Sequence, residues 1–261
     1  MDVETIRARL SSLPINEIQY LPETYSTNDD ALAWAQAGAP EGVIVIADKQ
    51  LKGRGRLGRT WVTQPGVSLA FSIILRPTID ETEKLSLFSP LGALAVALAL
   101  EEFGLSPEIK WPNDVLVSRK KVSGILAETA WLGRHIQGVV LGIGINVASG
   151  SIPEANRLLF PATCVEEELG KPVDRLSLLE AVLRHLFAWR NQVCSGIFIE
   201  QWRKRLAFKG EKVLVRTPEG ELSGVLYDID QNGALVLSLG GNQFQTILAG
   251  DVQLRPCSVE D

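Results

Sequence analysis

Histidine is almost missing from this chain. It has two in 261 residues, His135 and His185, and neither has a partner at metal-ligand or catalytic-triad spacing. No Ser–His–acid or Cys–His arrangement can be read from the sequence, which argues against hydrolysis through an activated nucleophile. Cysteine is scarce too: Cys164, Cys194 and Cys257 lie far apart with no CxxC, so they read as reduced thiols rather than a zinc site or disulfide framework. The longest apolar run, "LGALAVALAL" (91–100), is too short to span a bilayer and reads as a buried helix. The start, "MDVETIRARL", lacks the apolar core and cleavage pattern of a secretory signal. A cytoplasmic protein without a membrane anchor is expected. Excess positive charge is also absent: 26 Lys and Arg against 31 Asp and Glu, net −5. That argues against general nucleic-acid affinity and leaves room only for a local basic patch.

What is present is an ordinary globular composition, 46% apolar and 22% charged, long enough for one sizeable core and a smaller satellite domain. "STNDDALAWAQAGAP" (26–40) opens with capping residues and closes on Gly-Ala-Pro, predicting a helix. "GVIVIADKQ" (42–50) and "VSLAFSIIL" (67–75) predict buried strands, and 83–103 predicts one long helix. "EIKWPNDVLVS", "KVSGILAETAWL" and "HIQGVVLGIGINV" read as successive strands. Residues 163–206 turn helical, with apolar residues at 3.6 spacing in 176–190. Residues 211–255 become short strands split by "PEG", "QNG" and "GGN" turns, "QFQTILAGDVQL" being the last. The expectation is an α+β fold, a mixed sheet flanked by helices, over residues 1–207, followed by a small β-domain over 208–261.

Several strings carry chemistry. "KGRGRLGRTW" (52–61) follows a strand end and sets Arg54, Arg56 and Arg59 among Gly53, Gly55 and Gly58. It is either a solvated basic turn or a loop that closes on an anion, since glycine lets backbone approach closely and arginine matches carboxylate and phosphate oxygens. Neither the Walker spacing nor the dinucleotide fingerprint is present. "KWPNDV" (110–115) is a plain turn or a pre-oriented pair, Asn113 and Asp114, for a nucleotide or Mg²⁺. In "KVSGILAE" (121–128), Lys121 is a strand-end lysine reaching water or a cation held against an anion. "GIGINV" (142–147) is a tight strand crossing or a face left open for a flat ligand beside Asn146. "STND" (26–29) is a helix cap or a set of donors. The whole is rich in fixed cations and poor in nucleophiles, the chemistry of stabilising charge on phosphoryl or acyl-phosphate transition states.

Taken in order, "STN" (26–28), Gln50, "GRGRLGRTW", "KWPNDV", "KVSGILAE", "GIGINV" and the C-terminal β-domain resemble biotin protein ligases over roughly residues 20–255. The resemblance implies a class II synthetase-like catalytic domain with an SH3-like C-terminal domain. It implies ATP, biotin and Mg²⁺ as reactants, biotinyl-5′-AMP as intermediate, and a lysine of a biotin carboxyl carrier protein, as in acetyl-CoA carboxylase, as acceptor. By matching position, Ser26, Thr27, Asn28, Gln50 and Gly124 line a biotin pocket. Arg54, Gly55 and Arg56 wrap the carboxylate and later the phosphate. Arg59 helps hold the ATP phosphates, Trp61 covers the adenine, and Lys110, Asn113 and Asn146 serve the nucleotide. Asn113 is also the tentative Mg²⁺ contact, through water or phosphate. Lys121 contacts the reacting oxygens and Asp114 faces the incoming lysine; with Arg56 these form the implied catalytic set. Lys52 departs from the small residue many relatives carry before the loop. Relatives that also repress transcription carry a helix-turn-helix before "STN", where this chain has only 25 residues; the expectation is a ligase without DNA binding. A lipoate or octanoate ligase and a non-catalytic biotin-sensing module stand as alternatives. Whether the chain is a monomer or a homodimer stays open.

Overall fold

Strand β2 (Val43–Gln50) shows how the apolar runs are used: its first five residues are all buried, and they face two ways. Ile44 and Ile46 enter the main core, while Val43 and Val45 join a smaller cluster with Ala31 and Ala35. A strand covered on both faces needs a continuous apolar run rather than an alternating one. The computed structural model describes residues 2–154, 158, 160–217, 220–248 and 255–256.

The chain opens with α1 (Val3–Arg9), capped by Asp2, and β1 (Glu17–Thr24). Helix α2 (Thr27–Gln36) then crosses over to β2, which lies parallel to β1. Strands β3 (Ser68–Leu75), β4 (Pro107–Lys110), β5 (Asp114–Val117), β6 (Lys120–Leu132) and β7 (His135–Asn146) complete a seven-stranded sheet. Its order is β1-β2-β3-β7-β6-β5-β4, and every pair after the first is antiparallel. This is the mixed sheet expected. Neither α1 nor β1 was predicted. β1 is an edge strand whose polar residues and Pro22 hide any alternation, and an edge is where a sheet tolerates proline.

The long helix expected at 83–103 is divided. Asp80–Leu87 is a 3₁₀ helix with a break at Lys84, and α3 (Phe88–Glu102) follows. Pro90 explains the restart: it has no N–H and fits only within a first turn. An 18-residue window within Asp80–Glu102 reaches mean hydropathy 1.5, long and apolar enough by composition alone to cross a bilayer, but the stretch is mostly buried in the protein, as the reading of 91–100 as a buried helix expects. Here α3 packs into the main core with α5 (Arg175–Arg190). α4 (Val165–Leu169) and α6 (Gly196–Lys204) complete the helices.

A second, antiparallel sheet comprises β8 (Lys212–Thr217), β9 (Gly220–Ile229), β10 (Leu235–Gly240), β11 (Gln243–Ile247) and β12 (Arg255–Pro256), ordered β11-β10-β9-β8-β12. Residues 249–254 of the expected last strand, and Cys257, lie outside the described residues; Cys164 and Cys194 are free thiols. The two sheets are joined through the "QNG" turn. The Trp111 indole donates to the Gly233 carbonyl at 2.8 Å, and a Cβ at Gly233 would press on Leu87 and Trp202.

Arg190, at the end of α5 and 5% exposed, holds the 3₁₀ helix in place. It donates to Glu81 at 2.5 and 3.0 Å and to the Arg76 carbonyl at 2.8 Å. Burial pushes the Glu81 carboxyl up, but bonds from Arg190 and Thr78 outweigh this and hold it below its ordinary value. A lowered carboxylate stabilises the fold above its unfolded pKa, and that contribution is lost as pH falls through the folded one. Glu81→Ala should therefore cost about 3 kcal/mol at pH 7, with the gap from wild type narrowing in acid. Urea denaturation at pH 7 and below pH 4 tests this; a pH-independent gap would show that the ion pair contributes nothing.

Candidate active site

Where the loop after β2 folds back over the sheet, it walls one side of a cleft of about 570 Å³. Its polar end is built on the start of α2. Ser26 occupies the N-cap position without a side-chain capping bond, so "STND" is not a simple cap. The Thr27 amide donates to Gln50 Oε1 at 2.9 Å, and Gln50 Nε2 donates to Thr63 Oγ1 at 2.9 Å. Gln50 thereby ties the helix to the far end of the loop. Asn28 lies over Gly142, where a Cβ would overlap its amide oxygen.

The loop itself is a closed hairpin. Trp61 N–H donates to the Gly53 carbonyl at 2.8 Å and Gly55 N–H to Arg59 at 2.7 Å. A 3₁₀ turn, Arg56–Gly58, forms its tip, with Leu57 at φ 62 and Gly58 at φ 70. The Trp61 indole lies against Gly124 and Gly144, and a Cβ at Gly144 would overlap it. The open face read from "GIGINV" is thus filled by Asn28 and Trp61. The indole N–H is buried without a partner among the described residues.

The far end is cationic. Arg54, also lining the cavity, is paired with Asp29 and Glu128, while Arg56, Arg59, Lys110 and Lys121 gather there with one carboxylate, Asp114. Lys121 Nζ is 2.6 Å and Lys110 Nζ 3.4 Å from it. Burial pushes the Asp114 carboxyl up, yet the two ammonium charges hold it below its ordinary value. Burial pushes the Lys110 amine down, against the pull of Asp114. Lys121 also sits 5.5 Å over the Trp61 ring. Asn113 Nδ2 donates to the Ile125 carbonyl at 2.6 Å while its Oδ1 receives Arg56 Nη1 at 3.5 Å. Asn146 Nδ2 donates to the Thr163 carbonyl at 3.0 Å.

All fifteen residues that the resemblance assigns to the site, from Ser26 to Asn146, line this cavity. Two depart from their expected posture. Arg54 donates to Asp29 at 2.5 Å and Glu128 at 2.8 Å instead of reaching inward. Asp114 is enclosed between lysines rather than presented at the mouth. Among the described residues no cluster of three His, Cys, Asp or Glu side chains could hold a metal ion. Asn113 supplies one neutral oxygen, and the Asp114 carboxylate is already engaged, so the donor set does not make a protein-held Mg²⁺ site. Sequence reasoning missed Thr63, Ser72 and Glu128. The available signals were a hydroxyl, Ser72, inside the apolar run "LAFSIIL" and a lone acid inside "GILAETAWL".

Comparison with known proteins matches residues 20–146 to the model of the biotin/lipoate A/B protein ligase family and residues 209–255 to the biotin protein ligase C terminal domain. The chain is 34% identical to the bifunctional ligase/repressor BirA of Bacillus subtilis, covering 88% of this chain and 71% of that protein. It is 35% identical to the biotin--[acetyl-CoA-carboxylase] ligase of Paracoccus denitrificans, covering 83% and 92%. The biotin protein ligase of Aquifex aeolicus, solved with biotin and ATP, superposes with a TM-score of 0.80 at 34% identity, covering 93% of this chain and all of that one.

The seating of Trp61 is testable without a ligand. A methyl group at Gly144 costs about 1–3 kcal/mol of overpacking if the indole stays, so Gly144→Ala should release the loop. Trypsin should then cut at Arg54, Arg56 or Arg59 about tenfold faster. Unchanged cleavage would show that the indole does not anchor the loop.

Proposed function

The chain belongs to the biotin/lipoate A/B protein ligase family, and we propose that this cleft carries its reaction, with biotin at the Thr27–Gln50 end and ATP at the cationic end. It is an enzyme, a biotin protein ligase. Biotin and ATP form biotinyl-5′-AMP, and biotin then passes to a lysine of a biotin carboxyl carrier domain.

The observation that supports this division is one cavity with two unlike ends: Arg56, Arg59, Lys110 and Lys121 against one carboxylate, and a hydrogen-bonding head pocket around Gln50. In the first step a carboxylate oxygen of biotin attacks the α-phosphorus and pyrophosphate leaves. An anion must approach a polyanion, and in a cleft partly withdrawn from water that repulsion is larger than in bulk solvent. Arg56 and Lys121 lie where they offset it, with Arg59 and Lys110 toward the leaving phosphates. Asp114 holds both lysine amines in place through its ion pairs, a positioning part in place of facing the acceptor. Mg²⁺ would arrive on the ATP phosphates, since the residues here offer no carboxylate for it. Asn113, Asn146 and Trp61 are left for the nucleotide, and Gly55 for close backbone approach to the carboxylate. In the second step the acceptor's neutral amine attacks the acyl carbon, AMP leaves, and the nitrogen loses a proton. The closed loop keeps water from the mixed anhydride meanwhile. A lipoyl or octanoyl chain presents nothing polar to Thr27 and Gln50, which favours biotin.

Two measurements test the reading. Pyrophosphate exchange into ATP should depend on biotin; equal support by lipoate would overturn the substrate assignment. Arg56→Ala should raise the adenylate's off-rate by roughly ten- to a hundredfold, the loss of a charged hydrogen bond. Escaping adenylate should then biotinylate bystander lysines on serum albumin. A wild-type off-rate with no bystander labelling would move the clamp to Arg59 or Lys121.

A further inference from the structure

Behind the head pocket runs a chain of hydrogen bonds whose direction is forced. Glu128, on β6, accepts from Asn28 Nδ2 at 2.7 Å and from Arg54 Nη2 at 2.8 Å, both on the same oxygen. The Leu126 carbonyl lies 3.3 Å from the same Asn28 nitrogen. A carboxylate and a carbonyl can only accept, so the Asn28 amide has one orientation and Oδ1 faces Ser72. Ser72 Oγ is 2.6 Å from Asn28 Oδ1 and 2.7 Å from Thr27 Oγ1. Its single proton must go to Asn28, because Asn28 Oδ1 has none to give. The short contact with Thr27 then requires the Thr27 hydroxyl to donate to Ser72. Gln50 is oriented by the same logic: its Oε1 accepts the Thr27 amide, and Nε2 donates to Thr63. Thr27 Oγ1 is also within donating distance of Gln50 Oε1, at 3.2 Å, but with its one proton on the shorter contact to Ser72 both oxygens are left as acceptors.

We propose that Glu128 and Ser72, neither of which lines the cavity, are positioning residues that fix the head pocket as an acceptor for ligand N–H groups, with Arg54 tying that polarity to the closed loop. This rests on the reading of biotin as substrate, whose cyclic urea carries two such N–H groups. Asn28 and Thr27 are buried and Ser72 is fully so, so water does not compete for the relay. Removing the charge at Glu128 frees the Asn28 amide to turn over, Ser72 to reverse and the Thr27 proton to point at the ligand. The first arginine of the loop therefore acts on the ligand's far end, through Glu128.

The full-length chain, with Glu128→Gln, Ser72→Ala and the double variant, tests this by calorimetric titration with biotin and by pyrophosphate exchange. Each single variant should raise the biotin Kd and KM about tenfold while kcat stays within about threefold, a ground-state effect. The double variant should be no worse than the weaker single, because both break one relay. Biotin methylated on a urea nitrogen should bind wild type about a hundredfold more weakly than biotin, and this ratio should shrink in Glu128→Gln. An unchanged Kd in Glu128→Gln, or losses that multiply in the double variant, would overturn the relay. If Ser72→Ala fails to fold, Glu128→Gln at the half-buried end decides alone. Wild type that binds no biotin would instead sink the substrate reading, and the relay with it.

Discussion

One buried carboxylate organises the charge of this site. Asp114 is enclosed with two ammonium groups upon it, and neither partner is cheap to keep ionised away from water. Without the carboxylate, Lys110, already pushed down by burial, would shed its proton more readily, and Lys121 would lose the group that aims it. Asp114 is the first residue of β5, and its neighbour Trp111 is bonded to the second sheet through Gly233. The small C-terminal sheet is therefore mechanically joined to the turn that carries the charge.

The same site needs emptiness as much as charge. Gly142 and Gly144 are positions where any side chain would collide with Asn28 or Trp61. The seats these glycines leave allow a loop with three arginines to lie on an apolar sheet without exposing its tryptophan. The loop is held at both ends, by Arg54 on Asp29 and Glu128 and by Trp61 on β6 and β7, while Arg56 and Arg59 remain over the cavity. In the proposed reaction, a lid held this way would exclude water by packing and offset repulsion by charge. Those are the two demands of making and guarding a mixed anhydride.

Much of this was legible in the residues. β-branched runs marked the central strands, and capping and Gly/Pro signals bounded α2. The order of the loop, "KWPNDV", "KVSGILAE" and "GIGINV" strings pointed to the ligase family. Local sequence lost its hold at β1, whose edge position lets it be polar, and at residues 83–103, where Pro90 breaks a helix that composition alone would run through. In the site, the lining residues could be read from the motifs because each motif is a contiguous string at a strand end.

What the sequence by itself determined is the stock of parts: cations, glycines and amides in short strings, and strands apolar enough to bury. What only the tertiary structure decided is which way those parts point. Arg54 turns to Glu128, which lies 74 residues away, and Ser72 bridges Thr27 and Asn28 from a strand with no motif at all. Asp114 is walled in by Lys110 and Lys121, and the space of Gly144 goes to Trp61. The physical reason is that hydrogen-bond direction and the pairing of a charge depend on distances of a few ångströms between residues remote in the chain. Periodicity and spacing carry no record of those distances.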